Sequence, residues 1–252
     1  MEMRRLYRGI MGLCLMLVCA CGQGGDNGSL ALTTSATGPL ITATAKYANA
    51  GATNLSGVEI NFSTDLFGPV GSHTTDSTGT AVLAIRPVAF NGTKTITIIA
   101  NTGNLTAYSP ITMSGRTLTL TPPPNQGPVT ATGVPGSIQS FSLSSQNFVA
   151  ITDPFSNEVT DHQIQITASF TSTPQSSGDQ LTFNGSSVGP GVPAPPASVS
   201  TGASGIIALP GASLALIVPN VGVTKSATIT WTATDSTTLL SGSGSTVITI
   251  TR

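Results

Sequence analysis

From Leu30 onward the apolar residues recur mostly at every second position, flanked by Thr and Ser, and no window carries an apolar stripe at helical spacing. Side chains alternate between the two faces of a strand but recur every three or four residues along a helix. The pattern therefore commits the chain to an all-β fold whose strands each bury one face. Strands are predicted over residues 40–47, 58–63, 81–85, 94–100 and 106–113, and then over 137–143, 148–152, 163–170, 213–218, 226–233 and 245–251. Turn-forming clusters separate them, among them Thr75-Asp76-Ser77-Thr78-Gly79 and Asn91-Gly92. Short strands at this spacing predict a sandwich or barrel.

Between the two sets of strands lies residues 122–128, with prolines at 122, 123, 124 and 128. Proline has no backbone N–H and holds a polyproline II conformation, so this segment is read as a semi-rigid linker. The expected organisation is a first domain over 33–121 and a second over 129–252. The halves also parallel each other. In residues 83–100 and 214–233 a proline closes one strand and a Thr-Lys pair (Thr93-Lys94, Thr224-Lys225) opens the next, which points to an internal repeat. The second half is longer, and its extra residues fall near 184–205, where Pro190, Pro193, Pro195 and Pro196 argue for a surface loop rather than a buried strand.

The first 20 residues are of another kind. Arg4, Arg5 and Arg8 precede an apolar run over 10–20 that has the length of a secretory signal core and is too short to span a bilayer. Val18-Cys19-Ala20-Cys21 resembles the lipobox of bacterial lipoproteins. That resemblance implies cleavage between Ala20 and Cys21, lipidation of the Cys21 thiol, and anchoring of the mature chain in the membrane by its acyl chains. An ordinary signal peptide with Cys21 incidental is the rival. The Gly-rich stretch that follows favours the lipoprotein, because it supplies the flexible tether an anchor needs, here assigned to 21–32. Gly22 after the cysteine resembles lipoproteins destined for the outer membrane. All three cysteines, Cys14, Cys19 and Cys21, lie in this segment, so the body has neither a disulfide nor a thiolate metal site.

Charged residues make up 8% of the chain, against about 25% in an ordinary soluble domain. The surface must therefore be clothed in Ser, Thr, Asn and Gln. No stretch of the body is rich in Lys or Arg, which argues against nucleic acid as a partner. Catalysis finds little to work with. The histidines are His73 and His162; Asp161 and His162 are neighbours, and adjacent strand residues face opposite ways. Asp153, Asn157, Glu158 and Asp161 crowd one turn and offer oxygens to Ca²⁺, but Asp and Asn also make turns unaided. No cofactor motif occurs. Trp231, on a predicted strand face with Ile229 and Ala233, is expected to pack between sheets, with an exposed sugar platform as the alternative.

Thr75-Asp76-Ser77-Thr78-Gly79-Thr80-Ala81-Val82-Leu83 resembles the later conserved stretch of bacterial immunoglobulin-like repeats of the group 1, invasin/intimin type, and Ile151-Thr152-Asp153-Pro154-Phe155-Ser156-Asn157-Glu158-Val159 resembles their early turn. The resemblance implies two tandem Ig-like β-sandwiches after a cleaved lipoprotein signal peptide. It also implies a non-enzymatic structural, adhesive or protein-interaction role in the cell envelope, with another envelope or extracellular protein as partner. Carbohydrate binding and service as an accessory subunit of a surface or secretion complex are the alternatives.

Overall fold

A computed structural model of the chain describes residues 28–155 and 162–252. It divides into two compact units that meet between Gly115 and Arg116.

Unit 1 contains β1 (Gly28–Thr37), β2 (Leu40–Asn49), β3 (Glu59–Thr64), β4 (Gly68–Thr74), β5 (Thr80–Ile85), β6 (Thr93–Thr102) and β7 (Leu105–Ser114). They form two antiparallel sheets, β1-β2-β5 and β4-β3-β6-β7. The chain changes sheet between β2 and β3, between β4 and β5, and again between β5 and β6, the Greek-key connectivity of an Ig-like sandwich. The core is built by alternation. Ile41, Ala43 and Ala45 point inward from β2, and Ile96, Ile98 and Ala100 from β6, each fully buried.

The Thr75–Gly79 turn is held by its own side chains. Asp76 Oδ1 accepts from the Thr78 N–H, the Thr78 hydroxyl and the Thr80 N–H, while Thr75 Oγ1 donates to the Leu55 carbonyl. Gly79 closes the turn at φ +79°, and a Cβ there would stand 2.2 Å from the Tyr47 carbonyl oxygen. Gly79→Ala is therefore expected to destabilise unit 1 by about 2 kcal/mol or more, read as a lowered urea midpoint.

Unit 2 contains β8 (Thr117–Leu120), β9 (Gln126–Thr130), β10 (Ile138–Leu143), β11 (Val149–Thr152), β12 (Gln163–Thr173), β13 (Gln180–Phe183), β14 (Ser186–Val188), β15 (Ala197–Ser200), β16 (Ile206–Ile207), β17 (Ala212–Ile217), β18 (Thr224–Asp235) and β19 (Ser241–Thr251). One sheet runs β10-β17-β13-β14 and the facing one β15-β12-β18-β19-β9; a small third sheet, β16-β11-β8, lies beside them. The pairings β2–β5 and β3–β6–β7 of unit 1 recur as β10–β17 and β12–β18–β19, so the parallel seen in sequence is also one of topology. Both units are Ig-like β-sandwiches.

Three boundaries differ from expectation. The prolines of 122–128 are not a linker but part of unit 2. The Thr246 hydroxyl donates to the Pro123 carbonyl, the Val247 N–H donates to Asn125 Oδ1, and β9 pairs in parallel with β19. Proline lacks a donor but keeps its carbonyl, so a proline-rich segment can line a sheet edge that supplies the donors. The boundary accordingly falls before Arg116, because β8 pairs with β11. The expected tether, 21–32, ends sooner than predicted, since β1 begins at Gly28 and pairs with β2; residues 21–27 lie outside the described residues. Finally, the 184–205 insertion is not simply a surface loop. The Gly191 and Ala194 N–H groups donate to the Phe170 and Ala168 carbonyls, and β15 then pairs with β12. The donors alternate with the prolines, so the segment runs along the edge of β12.

Candidate functional site

The polar chemistry of unit 2 is organised by one strand. On β18, Lys225, Ala227, Ile229, Trp231, Ala233 and Asp235 all point inward and are buried. The alternation that buries the apolar residues thus carries an ammonium to one end of the core and a carboxylate to the other. A buried charge without a partner is costly, so each end must be answered.

At the first end Lys225 Nζ lies 2.6 Å from Asp179 Oδ1, with side-chain exposures of 1% and 0%. The ammonium also donates to Ser176 Oγ at 2.9 Å, and Asp179 accepts from Ser172 Oγ, the Ser176 N–H and the Ile217 N–H. Burial alone would raise the Asp179 pKa. The bonds from Lys225, Ser172, Ile217 and Ser176 outweigh it and hold the carboxyl below its ordinary value. At the other end Asp235 Oδ2 lies 2.6 Å from His162 Nδ1 and accepts from Thr238 Oγ1, while its Oδ1 accepts from the Thr237 N–H. Here too burial opposes ionisation, and the bonds from Thr238, Thr237 and His162 keep the pKa low. A third pair, Arg116 Nε to Asp153 Oδ2 at 2.7 Å, fastens the start of unit 2 to the end of β11.

Between these ends sits Trp231, with no exposed surface. Phe148 and Phe183 meet it edge-on at centroid distances of 5.5 and 5.9 Å. Its indole N–H donates to Thr246 Oγ1, which in turn donates to the Pro123 carbonyl. Trp231 is therefore a core residue, and its alternative assignment as a ligand-contacting platform is corrected: the inward parity of β18 leaves it no solvent face.

Unit 1 offers a groove of about 530 Å³ on β3, β4 and β6, lined by Asn61, Ser63, Ser72 and Asn101 over Phe62 and Pro69. It opens where a bulge after Phe62 shifts the β3–β4 register. None of its lining side chains is ionisable, so it can offer amide and hydroxyl hydrogen bonds but no acid or base.

The remaining residues singled out in the sequence are scattered. Ala20 and Cys21 lie outside the described residues, as do Asn157, Glu158 and Asp161 of the candidate Ca²⁺ turn. The fourth member of that turn, Asp153, is engaged by Arg116 and the Phe155 N–H. His162 is partnered by Asp235, 73 residues away, and His73 is exposed on β4. Among the described residues no three His, Cys, Asp or Glu side chains lie together as a metal cluster would require. The Lys225–Asp179 and His162–Asp235 pairs were not foreseen. A signal for them existed: extending the parity of Ile229, Trp231 and Ala233 to both ends of the strand places Lys225 and Asp235 on the buried face.

No protein-family model matches the chain, and no curated protein matches it in sequence. Among solved structures it is similar to the native conformation of Escherichia coli alpha-2-macroglobulin, at 12% identity and a TM-score of 0.29, over 91% of this chain and 17% of that one. A three-Ig segment of titin, domains I67–I69, matches at 11% identity and 0.28, over 90% and 66%. The BSP domain of a biofilm-associated protein matches at 14% and 0.22, over 84% and 27%. The chain thus spans at most about two thirds of the length of these structures. At such identities and scores the likenesses carry no functional weight, and the Ig-like assignment stands on the strand order itself.

Proposed function

We propose that this chain is a non-enzymatic structural and interaction module of the bacterial cell envelope, anchored by lipid on Cys21 in the outer membrane, its two Ig-like sandwiches offered to another envelope or extracellular protein. The observation that supports this reading is the pairing of the buried charged groups of unit 2. Lys225 pairs with Asp179, His162 with Asp235, and the half-buried Arg116 with the buried Asp153, so these side chains face one another rather than solvent. What faces outward is a surface of Ser, Thr and Asn on strands and turns, suited to recognition by hydroxyl, amide and backbone contacts. Carbohydrate binding loses its main support with Trp231 in the core.

Metabolic labelling with palmitate tests the anchor. Label is expected in the wild-type chain and is expected to disappear in Cys21→Ala, with the protein moving from the membrane to the soluble fraction. Equal labelling of the two would refute the lipid attachment.

A further inference from the structure

The edges of the two sandwiches are not equally protected. In unit 1, β1 lies against β7, with Thr34 Oγ1 and Ser109 Oγ 2.9 Å apart, and β7 carries Pro110. β4 carries Pro69 and faces the bulge after Phe62, and the Leu83 side chain of β5 packs beside its Gly71. In unit 2, β9 contains Pro128, β14 has three residues, and β15 has four and follows Pro195 and Pro196. Proline, bulges and short length are the usual means by which an edge is kept from pairing.

β10 has none of these. It is the terminal strand of β10-β17-β13-β14, six residues long, with neither proline nor charge, and among the described residues no strand pairs with its outer side. The other three strands of that sheet also lack charged residues. The hydrogen-bond phase shows which groups are open. Val218 N–H donates to the Ser137 carbonyl, so the backbone groups of Gln139, Phe141 and Leu143 turn toward β17, and those of Ile138, Ser140 and Ser142 turn outward. In agreement, Gln126 Nε2 approaches the Ser142 carbonyl from outside, at 3.4 Å.

We infer that β10 is a homotypic docking edge, at which a second copy of this chain adds its own β10 antiparallel about a two-fold axis at Ser140. The proposal does not depend on how the chain is anchored. Three features select a second copy. First, the register is self-consistent: pairing Ser140 with Ser140, and Ile138 with Ser142, joins outward backbone groups to outward backbone groups, with the partner strand displacing only the long 3.4 Å contact of the Gln126 amide on the Ser142 carbonyl, while Phe141 and Leu143 of both copies stay on the core side. Second, no like charges meet, and Ile138, 63% exposed, gains a neighbouring strand. Third, Gln139 Oε1 is buried without a hydrogen-bond partner, the one such side-chain atom among the described residues. In the two-fold register the two Gln139 residues are diagonal neighbours on the same face, about 7–8 Å apart at the backbone. Once each Gln139 side chain turns from its buried rotamer toward the axis, the amide N–H₂ of one donates to the Oε1 of the other, giving that oxygen the partner it lacks in the single chain. The ladder is short, so the association belongs to the weak, concentration-dependent class.

Sedimentation velocity of the purified full chain over a concentration series is the test. The wild type is expected to shift reversibly from monomer to dimer. Ser140→Lys places two ammonium groups on the axis and is expected to weaken association by about tenfold or more. At a concentration where both are monomeric its thermal midpoint should match the wild type, because the Ser140 side chain faces solvent in the single chain. Mixing Ser140→Lys with Ser140→Glu should restore the dimer. Under mild oxidation Ser140→Cys should cross-link between copies, since opposed residues lie about 5.5 Å apart. Ser213→Cys, one strand in from the edge, should cross-link no more than the wild type with its native cysteines. A chain that stays monomeric throughout, a Ser140→Lys variant that associates like the wild type, a mixture that fails to recover, or equal cross-linking of the two cysteine variants would each overturn the proposal.

Discussion

Replacing Asp179 with alanine is expected to cost about 3–5 kcal/mol of unfolding free energy, a large part of the stability of a domain this size. The reason is what it leaves behind. The Lys225 side chain is 1% exposed, and its Nζ retains only Ser176 Oγ at 2.9 Å and the distant Ile217 carbonyl at 3.4 Å as acceptors. Neither carries a charge to balance the ammonium. The Ser172 hydroxyl and the Ser176 and Ile217 N–H groups lose their acceptor at the same time. Removing both charges together, as Asp179→Leu with Lys225→Met, should be much milder, because no unpaired ion remains. Urea unfolding followed by fluorescence of Trp231, the chain's one tryptophan, reports on unit 2 and separates the two variants. An Asp179→Ala protein as stable as the wild type would refute the ion pair.

The same carboxylate sets an acid limit. The Asp179 pKa is depressed in the folded state by Lys225, Ser172, Ile217 and Ser176, against the opposing effect of burial. Its contribution is therefore complete above the unfolded carboxyl pKa of about 4 and is lost as pH falls through the lower folded value. Asp235, depressed by Thr238, Thr237 and His162, acts in the same direction. Stability of unit 2 should hold from neutral pH down to about pH 5 and fall in stronger acid. Asp179→Ala should show a shallower acid decline than the wild type.

How much of this was legible in the sequence depended on whether a strand displays its alternation. β2, β6, β12, β18 and β19 each bury one face against a core, and the selection for apolar residues at every second position can be read directly. β4 escaped notice because Gly68, Pro69, Gly71, Ser72, His73 and Thr74 are mostly solvent-exposed and show no apolar period. β9 escaped because proline normally marks the end of strand structure, whereas an edge beside β19 tolerates Pro128. The misplaced domain boundary has the same origin: three prolines look like a spacer until the Thr246 hydroxyl is known to donate to the Pro123 carbonyl and the Val247 N–H to Asn125 Oδ1. Partner choice is a longer-range matter. That Lys225 and Asp235 face inward was within reach of parity, but Asp179 and His162 come to them only through the packing of β12 and β13 against β17 and β18. The lysine of the repeated Thr-Lys pair shows the point. In unit 1 its counterpart Lys94 stays exposed above the Phe90 ring, 5.7 Å from the centroid. In unit 2 Asp179 draws Lys225 into the core.

Trp231→Ala should be about as damaging as loss of Asp179, about 3–5 kcal/mol, and for a different reason. The indole is the largest fully buried side chain, wedged edge-on between Phe148 and Phe183, and its removal opens a cavity that two rigid rings and the flanking β-ladders cannot collapse to fill. Its N–H bond to Thr246 adds a second cost. Thr246 is fully buried and relays to the Pro123 carbonyl, so the indole also helps fix the proline segment against β19. Trp231→Phe keeps most of the ring contacts and leaves Thr246 its bond to Pro123, so it should lose clearly less than the alanine variant. Calorimetry or circular dichroism melting measures both, since the fluorophore is gone. In the wild type, Trp231 emission should be blue-shifted and unmoved by sugars in solution. A red-shifted emission that responds to saccharide would place the indole at the surface, which the inward parity of β18 forbids.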